Sequence, residues 1–247
     1  MWSYEDELWH HGVKGQKWGV RRGPPYPIED KVLRKGTRLG SVRTLGENTN
    51  DLKRLYAFNM DDEYDKAVYE GPYAMYKAEV SGQYVVEQIF TVNKDLRMPT
   101  SQERFDTFKK IYSSDPVRYA KDLKKMQADH KEWDVGPTEA QNVNLENPQT
   151  DADYKAIFYL VNNAMDHVNS YEIAKKYSEI MSETYDAMVD DDDQGHYNYA
   201  HDPIIIFKVN ECLSKYGDER LLDYKEQQEN FNTVWREMAK TGEDVTI

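Results

Sequence analysis

Closely spaced carboxylates followed by a glycine are the raw material of a cation-binding loop, and the run Asp190 to Asp193 with Gln194-Gly195 has that form. A calcium loop closes on a bidentate glutamate at its twelfth position, but His201 stands there when Asp190 is counted as the first. The expectation is therefore a solvated acidic turn with no metal assigned, because carboxylate runs normally stay in water. His196 and His201 flank the same loop at a spacing that fits no common zinc pattern, which leaves them ordinary surface histidines. Cys212 is the single cysteine, so an internal disulfide is excluded and a reducing compartment is the simple inference. Without a matched histidine and asparagine it lends no support to a thiol hydrolase, and a small buried filler near a sheet is expected. The sequence has no Gly-rich phosphate loop and no Gly-x-Ser-x-Gly elbow.

A second concentration of binding groups lies near the start, where Lys14, Lys17, Arg21 and Arg22 stand beside His10 and His11 with no acid between His10 and Arg22. The chain as a whole carries a formal net charge of -13, so this reversal of sign is local. Gly12, Gly15 and Gly19 deny the stretch a stable helix, since each loses more backbone entropy on ordering than alanine would. Trp9, Val13, Trp18 and Val20 supply apolar anchors and the basic groups a preferred sign, the composition of a segment that folds on binding. Trp9, His10, His11, Lys14, Lys17, Trp18, Arg21 and Arg22 are the candidate docking residues. Packing of the same arm against its own acidic body is the plainer alternative.

The elements that must position these groups follow from composition and periodicity. A chain of 247 residues, 39% apolar and 13% aromatic, can bury a real core in one large domain. Its acidity disfavours nucleic acid and anionic membranes as partners, because phosphate neutralisation needs a basic face. No apolar run has the length of a membrane span, and Glu5, Asp6 and Glu7 sit where a signal peptide would turn apolar. Pro24, Pro25 and Pro27 make a stiff linker, which divides the chain into an arm over 1–27 and a body over 28–247.

Within the body, Lys31 to Thr44 reads as extended, broken at Gly36 and Gly40, and Arg54 to Phe58 as a buried strand. Asp61 to Glu70 reads as a helix ended by Gly71-Pro72, and Tyr73 to Val80 with Gln83 to Val92 as a hairpin around Ser81-Gly82. Thr100 and Glu103 form a capping box for a helix to about Ser113, Pro116 starts another to about Trp133, and Asp134 to Thr150 is a long loop. Apolar residues at helical spacing predict helices over Asp151 to Val168 and Tyr171 to Ser182. Tyr185 to Val189 and Ile204 to Phe207 read as strands, the second deep in a sheet, and Asp223 to Lys240 as a closing helix bearing Tyr224, Phe231, Val234, Trp235 and Met238. Strands and helices segregate along the sequence, which argues an α+β fold with a mixed or antiparallel sheet and flanking helices.

Two resemblances add to this reading. The stretch His10 to Arg22 resembles the HHGVKGMKWGVRR-type segment found near the ends of many bacteriophage proteins, commonly beside head genes, with Gln16 where that pattern usually has methionine. It implies a phage context and a head or capsid protein as the arm's partner. Lys35-Gly36-Thr37 leading into a strand, the aromatic strand Leu55 to Phe58, and the terminal pair Tyr185-Asp186-Ala187 and Ile204 to Phe207 resemble ADP-ribosyltransferase-like domains of phage polyvalent and head-associated proteins. This second resemblance is topological and spans about Lys31 to Phe207. It implies NAD as cofactor, held by a first-strand arginine: Arg38, ahead of Arg34 and Arg43. The element that braces NAD falls on Tyr56-Ala57-Phe58-Asn59, making Tyr56, Phe58 and Asn59 cofactor-binding residues without the usual hydroxyl pair. The acid that orients the ribose falls at Asp202 or its neighbour Pro203. Breaking the nicotinamide bond builds positive charge on the ribose, so Arg38 and Asp202 are the implied catalytic pair, the aspartate a methylene shorter than the family's glutamate.

The resulting expectation is a virion-associated or injected transferase-like effector that acts on a host protein with NAD, in the virion or the host cytoplasm. The alternatives are a non-enzymatic head or cargo protein that keeps only the fold, and an inhibitor of host defence that binds a protein or a nucleotide signal.

Overall fold

In the computed structural model the described residues are 28–29, 32–47, 54–134, 136–167, 170–190, 203–223, 225–226, 229–233 and 236, and their frame is a six-stranded antiparallel sheet. Two short strands, β1 (Ile28–Glu29) and β2 (Val32–Leu33), lead into β3 (Arg38–Thr44) and β4 (Leu55–Asn59). Helices α1 (Glu63–Val68) and α2 (Ala74–Ser81) follow, then β5 (Val85–Val92) and β6 (Leu96–Arg97). The helical run is α3 (Ser101–Ser114), α4 (Pro116–Glu132), α5 (Thr138–Asn142), α6 (Asp151–Asn163) and α7 (Glu172–Thr184). The chain then returns to the sheet with β7 (Ala187–Val189), β8 (Ile204–Ile206), the short α8 (Val209–Cys212) and β9 (Leu213–Leu221). Strand order in the main sheet is β7-β8-β4-β3-β5-β9, and β1-β2-β6 make a second, three-stranded sheet. The α+β class and the antiparallel sheet are therefore as the sequence pattern predicts.

Period-two alternation sorts the sheet's side chains onto two faces. Leu55, Ala57, Ala187, Ile204 and Ile206 join Leu39, Phe90 and Val92 in a core that also takes in Leu33 and Leu96 of the small sheet. The residues between them face the other way and split into two groups. Tyr56, Met188 and Ile205 meet the helical layer α3–α7, whose core holds Phe105, Phe108, Tyr112, Phe158 and Tyr177. Val42, Phe58 and Val85 instead meet Tyr69 and Ala74 of the α1–α2 segment, with Leu222.

The helical layer forms where local signals specify it. Thr100 caps α3 by accepting from the Glu103 amide at 3.1 Å, while the Glu103 carboxylate accepts from the Thr100 amide at 2.8 Å. Asp115, non-helical at φ -158 and ψ 72, ends α3 and caps α4, where Pro116 needs no amide partner at the first position. Thr150 and Asp153 form a second box for α6, which ends at Asn163 and passes into a 3-10 turn over Ala164–His167. Val168, the expected helix end, lies outside the described residues.

The sequence reading fails at Gly71-Pro72. The helix does not stop there but widens into a π turn over Tyr69–Tyr73, and Ala74 donates to the Tyr69 carbonyl five residues back. The wider turn carries the chain past Pro72, which has no amide to give and would clash in an ordinary α turn. Tyr73 to Val80 consequently continues as α2 rather than as a strand, and Gly82 is its left-handed C-cap at φ 65 rather than the centre of a hairpin. Gln83 to Val92 does supply a strand, β5, but its partners are β3 and β9.

Gly40 does not break the extended segment either. It sits inside β3, where a side chain would run into the Phe58 ring and the Met60 sulfur. The loop from Asp134 to Thr150 contains the short helix α5, and β9 with α8 arises where the pattern suggested no element. Of the closing helix expected over Asp223 to Lys240, Tyr224, Val234, Trp235 and Met238 lie outside the described residues, and Phe231 is buried against Tyr64, Ala67 and Val68.

Candidate functional site

Arg38 opens β3 at the rim of the sheet, and its Nη2 donates to Asp61 Oδ1 at 2.6 Å. That hydrogen bond, with the charge of Asp61 behind it, raises the guanidinium further above its already high range. Asn59 ends the neighbouring strand, and its side-chain oxygen accepts from the Asp61 amide at 3.1 Å. Asp61 thus gathers two of the predicted cofactor residues, Arg38 and Asn59, into one polar cluster on the rim. The pairing is solvent-exposed, so its contribution to stability is below about 1 kcal/mol.

The other two predicted residues point elsewhere. Phe58 is fully buried and stacks on Tyr69 with ring centroids 4.6 Å apart. Tyr56 reaches under the helical layer, where its hydroxyl donates to the Met165 carbonyl at 3.1 Å, and Arg54 Nη2 donates to the same oxygen at 2.6 Å. Both donors thereby satisfy a carbonyl just past the end of α6, a place that favours positive charge. The rival arginines are also engaged by carboxylates, Arg34 by Asp95 at 3.0 Å and the buried Arg43 by Glu219.

Asp202 lies outside the described residues, as do His196, His201 and Asp191 to Asp193. Pro203, the alternative at the acid position, accepts from the Asp190 amide through its carbonyl at 2.8 Å. Asp190 itself corrects one expectation: it is 3% exposed and so belongs to the interior rather than to a solvated turn. The eight candidate docking residues, Trp9, His10, His11, Lys14, Lys17, Trp18, Arg21 and Arg22, also fall outside the described residues. Among the described residues no group of three or more histidine, cysteine or acidic side chains is arranged to hold a metal ion. None of their helices is long and apolar enough to cross a membrane.

Cys212 is the buried filler expected, its sulfur 3.9 Å from Asp186 Oδ1. Burial, and then the charge of Asp186, push its thiol up to about 11, which keeps it protonated and a poor nucleophile at neutral pH.

A second charged constellation was not foreseen. Glu70 of the π turn and Glu87 of β5 are both buried, and Arg220 of β9 spans them, with Nη2 at 2.6 Å from Glu70 Oε1 and 2.9 Å from Glu87 Oε2. Its one signal in the sequence is a polar pair inside an apolar strand, Val85-Val86-Glu87-Gln88-Ile89-Phe90. A strand buried on both faces puts one member of such a pair on each face, and each needs a partner. Gln88 finds its own in the carbonyls of Ile89, Tyr216 and Gly217.

In the comparisons with known proteins, no curated protein and no solved structure matches the chain. A family model does match over residues 1–25, which makes that stretch similar to a family of unknown function, DUF7211.

Proposed function

We propose that this chain is a non-enzymatic cargo or virion-associated protein of phage type, in which the basic, tryptophan-bearing arm docks an acidic α+β body onto a head or capsid protein. The observation that carries the reading is the extent of the family likeness, which covers residues 1–25 and stops within the Pro-rich linker, short of the first strand. A likeness confined to the arm is what an address joined to a separate body leaves. The basic cluster Lys14, Lys17, Arg21 and Arg22 and the arm's three tryptophans, Trp2, Trp9 and Trp18, suit a docking segment, whereas the body carries most of the acid.

The NAD-dependent transferase is the second reading, and the rim cluster of Arg38, Asp61 and Asn59 favours it. It ranks lower because Phe58 and Tyr56 are spent on packing, and because Arg38 would have to exchange Asp61 for a phosphate. One set of experiments orders the two. Deleting residues 1–27 is expected to leave the body folded by circular dichroism and to abolish co-purification with phage heads; retained packaging would overturn the docking proposal. Purified full-length protein is expected to leave NAD intact, and turnover that disappears in Arg38→Ala would put the transferase first.

A further inference from the structure

Glu70 and Glu87 reach the same buried place from different elements, and one guanidinium serves both. Arg220 donates through Nη2 to each and through Nε to Glu87 Oε2 at 3.2 Å. Lys66, one helical turn before Glu70, comes no closer than 3.9 Å. Arg43 and Glu219 pair with each other and, by strand alternation, lie on the opposite face. The second oxygen of Glu87, Oε1, is buried and receives no hydrogen bond from any nitrogen or hydroxyl. Arg220 draws the two buried carboxylates together, with Lys66 only at the edge of ion-pair range, and a proton shared between Glu70 and Glu87 relieves their mutual repulsion.

The location gives this proton mechanical leverage. β9 is one of the two edge strands of the main sheet, exposed from Ser214 to Leu221, and its register with β5 shifts between Glu87 and Ile89. Gln88 fills that bulge, and immediately beyond it Arg220 ties the strand to the interior.

We propose that Glu70, Glu87 and Arg220 form a proton-operated latch that fastens the edge strand β9 and the π turn to the sheet, closed while the carboxyl pair shares one proton and loosened when that proton leaves. Burial and the adjacent Glu87 hold the Glu70 carboxyl up to about 7, against the opposing pull of Arg220 and Lys66. When the latch opens, Glu70 meets water and returns to the ordinary glutamate value of about 4.3. A group raised in the closed state favours closure most at low pH. The advantage is lost as pH rises between those two values and is flat above the upper one.

Amide hydrogen exchange on the full chain, corrected for the intrinsic rate, tests this. Protection of the β9 amides paired with β5 is expected to fall by about tenfold per pH unit from pH 5 to about 6.5 and to level off above about 7. In Glu70→Gln, which keeps a donor and cannot ionise, protection should stay level over the same range. A level wild-type profile overturns the latch, as does an unchanged slope in the variant. A carbon-detected titration of the wild-type Glu70 carboxyl decides the matter should the variant fold poorly: a midpoint near 7 supports the latch, and one below about 5 overturns it.

Discussion

The two halves of the sheet's helix-covered face solve the same burial problem with different materials. Over β7, β8 and β4 the helical layer buries rings: Phe108 stacks on Phe158 at 4.9 Å, and Tyr177 meets Phe158 edge-on at 5.7 Å. Over β3, β5 and β9 the α1–α2 segment buries a smaller apolar group and, beside it, the Glu70–Glu87–Arg220 cluster. Phenyl rings cannot ionise, and burial pushes the Tyr112 phenol up and away from neutral pH, so this ring core should itself add little pH dependence. Buried carboxylates do ionise in that range, so the edge of the sheet should feel pH more than the ring core does. The contrast teaches that a single sheet can carry an indifferent half and a responsive half.

The sharpest way to break this contrast is to remove apolar bulk from the helical layer. Phe108→Ala should cost about 3–5 kcal/mol in urea unfolding, with the same loss at pH 6 and pH 8, since a cavity has no charge to titrate. A loss that varies between the two pH values would mean that the halves are not separable. Next in size is Gly40→Ala, which tests how firmly the responsive half is packed. Its new methyl meets the Met60 sulfur at 2.6 Å and the Phe58 ring, which Tyr69 holds from the other side. A destabilisation of about 1–3 kcal/mol is expected by the same measurement, and a neutral result would show that Phe58 has room to move. The smallest effect sharpens the helical side alone. Thr100→Ala should lower stability by about 1 kcal/mol and raise amide exchange in the first turn of α3, with the β9 amides unaffected.

The helical layer was largely legible in the sequence because its instructions are local. Thr100 with Glu103, Asp115 with Pro116, and the apolar spacing from Ile157 to Val161 each lie within one or two turns. The α1–α2 segment was misread because Gly71-Pro72 is a terminator in most local contexts, and only a π turn packed under Phe58 makes it passable. Of the candidate cofactor residues, Arg38 and Asn59 come together only because β3 pairs with β4, which sets Leu39 opposite Asn59. Tyr56 and Phe58 share a face by alternation, yet the helices above divide them between two cores.

The sequence by itself determined that a basic cluster from Lys14 to Arg22 stands in an otherwise acidic chain, that the class is α+β, and where most helices begin. Those features are set by composition and by interactions over a few residues, which any stretch of chain expresses on its own. Only the tertiary structure decided that β9 would close the sheet, and that Arg220 would meet Glu87 from 133 residues away and Glu70 from 150. Contacts at that separation leave no periodic trace. They depend on which strand is left with an open edge once the others have paired, and on the need of a buried carboxylate for whatever cation that edge brings.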